Sequence, residues 1–216
     1  MLKLKLKAFT TALLLCTAAL MPALAAGADT EPEEVSLKDL IKTESASFTL
    51  AHLPYILHYQ KPAALHETVI ASDKVLSLSY SGLNNRLLVT VSMNADPSLA
   101  SLFTDYSAFK DYALKPFSDK EKLMYGEYEL TDEQTAAGRW SISFYGYLKK
   151  PEDGILPAMY NFLEQRLNFE DGTLVSAQCQ IQGAPEQQLE SRALFKELRP
   201  LCEAVISDLS LEHKGK

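Results

Sequence analysis

KVLSLSYSGLNNRLLVTVSM, residues 74–93, decides the fold. Leu76, Leu78 and Tyr80 share one parity, with Ser77, Ser79 and Ser81 on the other. On the return, Leu87, Val89, Val91 and Met93 alternate with Leu88, Thr90 and Ser92. A period of two on both arms of a turn-rich GLNN predicts two antiparallel strands, each with one face buried.

Working outward, the same pattern recurs. KLMYGEYEL (122–130) and GRWSISFYGYLKK (138–150) are predicted to pair across the polar connection TDEQTAAG. In the second arm Trp140, Ile142, Phe144 and Leu148 share a face, and Ser141, Ser143, Tyr145 and Tyr147 share the other. YNFLEQRLNF and TLVSAQCQI form a further hairpin on Asp171-Gly172, a pair suited to a tight turn. Between hairpins, ADPSLASLFTDYSAFKDYALKPF predicts one long helix with Asp96 as N-cap and Pro97 in its first position. Leu99, Leu102, Phe103, Tyr106, Phe109 and Ala113 form its apolar stripe, and Pro116 ends it. Upstream, Ser36 caps a short helix and SFTLAHLP is a strand that Pro54 stops; residues 55–74 read as irregular, with one extra strand at most. Downstream, Leu194, Leu198, Leu201, Cys202, Val205, Ile206 and Leu209 mark an amphipathic closing helix, kinked or restarted at Pro200. The class is α+β: an antiparallel β-sheet built from hairpins, with a central and a C-terminal helix packed on it.

The 216-residue chain opens with Lys3, Lys5 and Lys7, an apolar run, and Ala23-Leu24-Ala25, the layout of a secretory leader cleaved near Ala25. Residues 26–35 then read as a flexible acidic lead-in, 36–211 as a single α+β domain and 212–216 as a tail. Without residues 1–25 the chain has 18 basic residues against 28 acidic ones, a net charge of −10. So acidic a surface is repelled by phosphate backbones and anionic headgroups, which argues against nucleic acid and against membrane insertion after cleavage. The expected location is periplasmic or secreted.

Cys16 leaves with the leader, so Cys179 and Cys202 are the mature cysteines. Cys179 shares the parity of Val175, Ala177 and Ile181, and Cys202 lies in the stripe of the closing helix. Both point into the layer between sheet and helix, and an oxidising compartment favours joining them. The alternatives are two buried free thiols or a redox role. With no C-x-x-C spacing, the bridge reads as scaffold.

The order of SFTLAHLP, hairpin, helix, two long strands, RLNFEDGTLVSAQC and a last helix resembles the PsbP/Mog1-like proteins, which include periplasmic members of the DcrB type. The resemblance covers roughly residues 46–210 and rests on Pro54, DGTLV and LCEAVISDLSL. It implies a helix-flanked antiparallel sheet and a non-catalytic accessory or binding role; no functional residue carries over.

Motifs for chemistry are sparse. There is no G-x-S-x-G and no phosphate-cradling glycine loop. HETVI (66–70) begins like a zinc-protease helix, but Ile70 occupies the place of the second histidine. His52, His58 and His66 fall close together without the spacing of a ligand set, so neither a metal site nor a cofactor is expected. The remaining candidate is the polar strand face of Ser141, Ser143, Tyr145 and Tyr147, with Tyr125 on the neighbouring strand. Tyrosine gives a binding surface both area and a hydroxyl. Gly126 and Gly146 would permit close approach by a ligand or a covering element. The alternative for this face is packing under a helix. The expected role is non-enzymatic, by contact with an envelope protein or small ligand; the alternative is a small cell-envelope hydrolase, which requires a histidine near a serine or acid in a pocket.

Overall fold

A computed structural model describes residues 36–50, 53–118, 125–136, 138–150 and 158–214; residues 1–35, which the sequence reading assigns to a leader and an acidic lead-in, lie outside these. The chain runs α1 (Leu37–Leu40), β1 (Thr43–Thr49), β2 (Tyr55–Pro62), β3 (His66–Ala71), β4 (Val75–Gly82), β5 (Leu87–Asn94), α2 (Ser98–Leu102), α3 (Tyr106–Ser118), β6 (Tyr125–Ala136), β7 (Arg139–Lys150), β8 (Met159–Glu170), β9 (Thr173–Gly183), α4 (Gln188–Glu197), α5 (Arg199–Ser207) and β10 (Ser210–His213). A single turn of 3₁₀-helix, Pro185–Gln187, leads into α4.

The class is α+β with antiparallel sheets and helices packed on them, but the strands make two sheets. One has seven strands in the order β3-β4-β5-β9-β8-β7-β6; the other has three, β1-β2-β10. The seven-stranded sheet carries a core on each face. On β9, Val175, Ala177, Cys179 and Ile181 join a core shared with β2, β4, β5, α4 and α5, while Leu174 joins a second core with α2, α3, β7 and β8. Alternating parity thus feeds two cores from one strand. Where neither core covers it, the α3 side of β4, β5 and β9 carries hydroxyls and amides; Ser92 and Ser176 hydrogen-bond across the strands at 2.7 Å.

The deciding hairpin forms as predicted, with Leu76, Leu78, Tyr80, Leu87, Val89, Val91 and Met93 fully buried. Its turn puts Leu83, Asn84 and Asn85 at positive φ. Asp171 and Gly172 also have positive φ, the backbone a tight hairpin turn demands.

Four details differ from the sequence reading. Residues 55–74 hold two strands, because Tyr55, Leu57 and Tyr59 alternate inward between Ile56, His58 and Gln60. The long central helix is two. Asp96 Oδ1 accepts from Ser98 N at 2.9 Å at the start of α2, and Asp105 Oδ1 accepts from Ala108 N at 2.9 Å to start α3 afresh, whereas Pro116 lies inside α3. TDEQTA belongs to β6, with a bulge at Leu130/Asp132. The chain past the closing helix adds β10 to β2, taking in Glu212 and His213, which the sequence reading assigns to a tail.

The closing helix does break at Pro200, which sits in the first turn of α5. Cys179 and Cys202 are joined, with an S–S distance of 2.05 Å and Cα atoms 5.2 Å apart.

Candidate functional site

The alternation of β7 sends Trp140, Ile142, Phe144 and Leu148 toward α3, which turns Ser141, Ser143, Tyr145 and Tyr147 toward the α5 side. Register supplies their neighbours. Ser141 faces Asn168, Ser143 faces Arg166, Tyr145 faces Glu164 and Tyr147 faces Phe162 on β8; Glu129 faces Tyr145 on β6.

These neighbours divide the face. Ser141 and Ser143 are buried, and Ser141 Oγ donates to Asn168 Oδ1 at 2.8 Å. Arg166 Nε donates to the same oxygen at 3.0 Å. Tyr147 packs its ring 6.2 Å from Phe162 as part of the core. Tyr125 opens β6 opposite Lys149. Tyr145 meets charged partners: its hydroxyl donates to Glu129, and the Arg199 guanidinium lies 5.6 Å over its ring. The hydrogen bond to Glu129 raises the pKa of the phenol.

At the centre lies Glu164. It is 6 % exposed, and its Oε2 has no hydrogen-bond partner among the described residues. The nearest cation is Arg199, whose Nε is 4.0 Å away, too far for a hydrogen bond. Arg199 Nε instead forms an ion pair with Glu203, 3.0 Å away and one turn on along α5. Burial drives the Glu164 pKa upward; Arg199 opposes this, and Glu203 adds to it. Desolvation of the carboxylate outweighs a single imperfect ion pair.

The disulfide sets this geometry. Cys179 is the cross-strand partner of Glu164 on β9, and Cys202 lies between Arg199 and Glu203 on α5. The bridge therefore fixes the helix residues that crown Glu164. Sequence reasoning assigned the bridge to scaffold and passed over Glu129, Glu164 and Arg199. One signal was present: Glu164 shares the parity of core residue Phe162, so an acid stands where the alternation requires burial.

The two glycines serve the sheet. A Cβ on Gly126 would lie 1.8 Å from Tyr147 O, and one on Gly146 would lie 2.3 Å from Glu127 O. They allow the β6 and β7 backbones to approach each other rather than a ligand.

His52 lies outside the described residues, and His66 opens β3, the strand that HETVI forms in place of a helix. His58 Nε2 lies 2.8 Å from Glu212 Oε2 on the three-stranded sheet, beside a shallow cleft of about 400 Å³ lined by Ser45, Gln60, Ser207, Asp208 and Ser210. A second cleft, of about 280 Å³, lies between Tyr55, Arg139, Glu170 and His213. Among the described residues no group of three or more His, Cys, Asp or Glu is arranged to hold a metal ion, and no helix is long and apolar enough to cross a membrane.

No family model and no curated protein sequence matches the chain. Weak structural resemblance links it to three solved structures. Cyanobacterial PsbP (CyanoP) from Synechocystis aligns with 11% identity over 89% of this chain and 99% of that one, with a TM-score of 0.41. LpqN, involved in cell envelope biogenesis of Mycobacterium tuberculosis, aligns with 9% identity over 78% and 91%, TM-score 0.36. The protein PA94 from Pseudomonas aeruginosa aligns with 12% identity over 72% and 94%, TM-score 0.30. The PsbP-like resemblance read from the sequence thus has a weak structural counterpart, which carries nothing about activity.

Proposed function

We propose that the chain is an exported, non-catalytic accessory protein that engages an envelope protein or small ligand through the β7–β8 face around Tyr145 and Glu164. One observation carries the reading: Glu164 is buried with an acceptor oxygen that nothing among the described residues satisfies. Such a group costs about 1–3 kcal/mol, and native folds concentrate uncompensated costs of this kind at functional surfaces. Export is supported by the leader and by the disulfide, which suits an oxidising compartment. Binding rather than catalysis is supported by the surroundings of Glu164, where no serine, histidine or cysteine hydrogen-bonds to it among the described residues.

The test is site-specific photocrosslinking in cells, with a benzophenone amino acid at Tyr145 and, as control, at Leu189, exposed on α4. A discrete adduct from position 145 that is absent from 189 and lost on Glu164→Met supports the reading. Equal adducts from both positions, or none from 145, overturn it.

A second reading, a hydrolase, is favoured by the His58–Glu212 pair beside its serine-lined cleft. Against it, the two side chains are 41% and 61% exposed, and no serine hydrogen-bonds to His58 among the described residues. Loss of hydrolysis of a chromogenic ester on His58→Ala would establish it.

A further inference from the structure

The charge around Tyr145 defines what the face accepts. Arg199 Nε lies 4.0 Å from Glu164 and 3.0 Å from Glu203, and Glu129 accepts from the Tyr145 hydroxyl beneath the guanidinium. Arg166, two residues from Glu164, donates its Nε to Asn168. Lys149 lies over Tyr160 further along β7, and Glu164 Oε2 is an acceptor without a donor among the described residues. Arg199 occupies the place a ligand's cation would take. It stacks on the Tyr145 ring, as an incoming ammonium or guanidinium would, but reaches Glu164 only at 4.0 Å because Glu203 holds its Nε. Its side chain is half exposed, so an incoming group need not open the core to displace it.

We infer that this face receives a lysine side chain from a protein partner, whose ammonium displaces Arg199 and donates to Glu164 while its methylenes lie on Tyr145. The inference rests on the binding role proposed above and names its chemistry. Lysine fits better than a planar guanidinium, since the gap holds one unmatched oxygen rather than a paired set, and an ammonium is a point donor. A protein source fits better than a free amine because Glu164 lies beneath Arg199 of α5, where displacing that side chain needs contacts beyond one charge.

The experiment titrates the ¹⁵N-labelled mature chain, disulfide intact, with a blocked Gly-Ser-Lys-Ser-Gly peptide, its Nε-acetyl-lysine counterpart, and butylamine. The expected result is perturbation of the Tyr145, Glu164 and Arg199 amides by the lysine peptide. The acetylated peptide, or Glu164→Gln, should bind about tenfold more weakly through loss of a charge-assisted bond. Arg199→Ala should bind several-fold more tightly, because the internal competitor is gone; a merely structural ion pair would not give that sign. Equal binding of the acetylated peptide removes the cation and leaves a binding face that reads neutral groups. Butylamine matching the peptide removes the protein source. Weaker binding by Arg199→Ala would mean that the arginine recruits an anion, and overturns the inference. No perturbation at these amides also overturns it, while crosslinking at position 145 still decides the binding role independently.

Discussion

Replacing Glu164 by methionine exchanges a buried, unsatisfied carboxylate for an apolar chain of similar size. Removing the orphaned acceptor should return about 1–3 kcal/mol. Against this stands the loss of the 4.0 Å contact with Arg199, worth under about 1 kcal/mol for a half-exposed arginine that keeps Glu203 at 3.0 Å. The net gain at neutral pH is about 1–2 kcal/mol, or roughly 2–8 °C in Tm for a chain of this length. The pH dependence is more diagnostic. Burial raises the folded-state pKa of Glu164 above its unfolded value, so the native state holds this proton more tightly. Its contribution is therefore most favourable below the ordinary glutamate range and is lost as pH rises through the folded pKa. The Tm difference between Glu164→Met and wild type should be small near pH 4, widen with rising pH and then level off. Thermal unfolding by circular dichroism of the mature chain measures it, and the same-pH difference cancels the other carboxylates. A variant less stable than wild type at pH 7, or a gap independent of pH, would refute the reasoning.

Replacing Cys179 and Cys202 together by serine should cost about 3 kcal/mol on the chain-entropy account for a 23-residue separation, a loss of roughly 6–12 °C in Tm. It should also quench the pH-dependent gap just described, since α5 is no longer pinned over Glu164. Gly126→Ala and Gly146→Ala force a methyl against backbone oxygens and should each destabilise by about 2 kcal/mol or more, read as faster amide exchange along β6. Asp96 titrates at about 2 because it accepts from the Ser98 N–H at the start of α2. Its depressed pKa makes a contribution that is present above the ordinary aspartate range and lost as pH falls from about 4 toward 2. Asp96→Ala should therefore cost about 1 kcal/mol at pH 7 and almost nothing at pH 2, by urea unfolding.

Much of the fold was legible because hairpins declare themselves locally. Leu76 to Met93, Trp140 to Leu148 and Val175 to Ile181 each show their buried face in two-residue steps, and strand parity for Cys179 with the helical stripe for Cys202 placed both cysteines in one layer. The division into two sheets was not legible, because which strands pair is a long-range choice: β10 finds β2 across the whole chain. The central helix breaks because Asp105 offers its carboxylate to a second N-terminus, a local competition that an unbroken apolar stripe conceals. For the site, the sequence placed Ser141, Ser143, Tyr145 and Tyr147 on one face but could not say which would be buried. It also missed Glu164, because the consequence of an acid on that face depends on Cys179 beside it and α5 above it.

The most direct measurement is a ¹³C NMR titration of the Glu164 side-chain carboxyl in the oxidised mature chain. The account predicts a pKa above the ordinary glutamate range, falling toward it when the cysteines are reduced and α5 can lift. An ordinary value in the oxidised protein would mean that water or a hydrogen bond already satisfies the carboxylate, and the face would lose its claim to a partner.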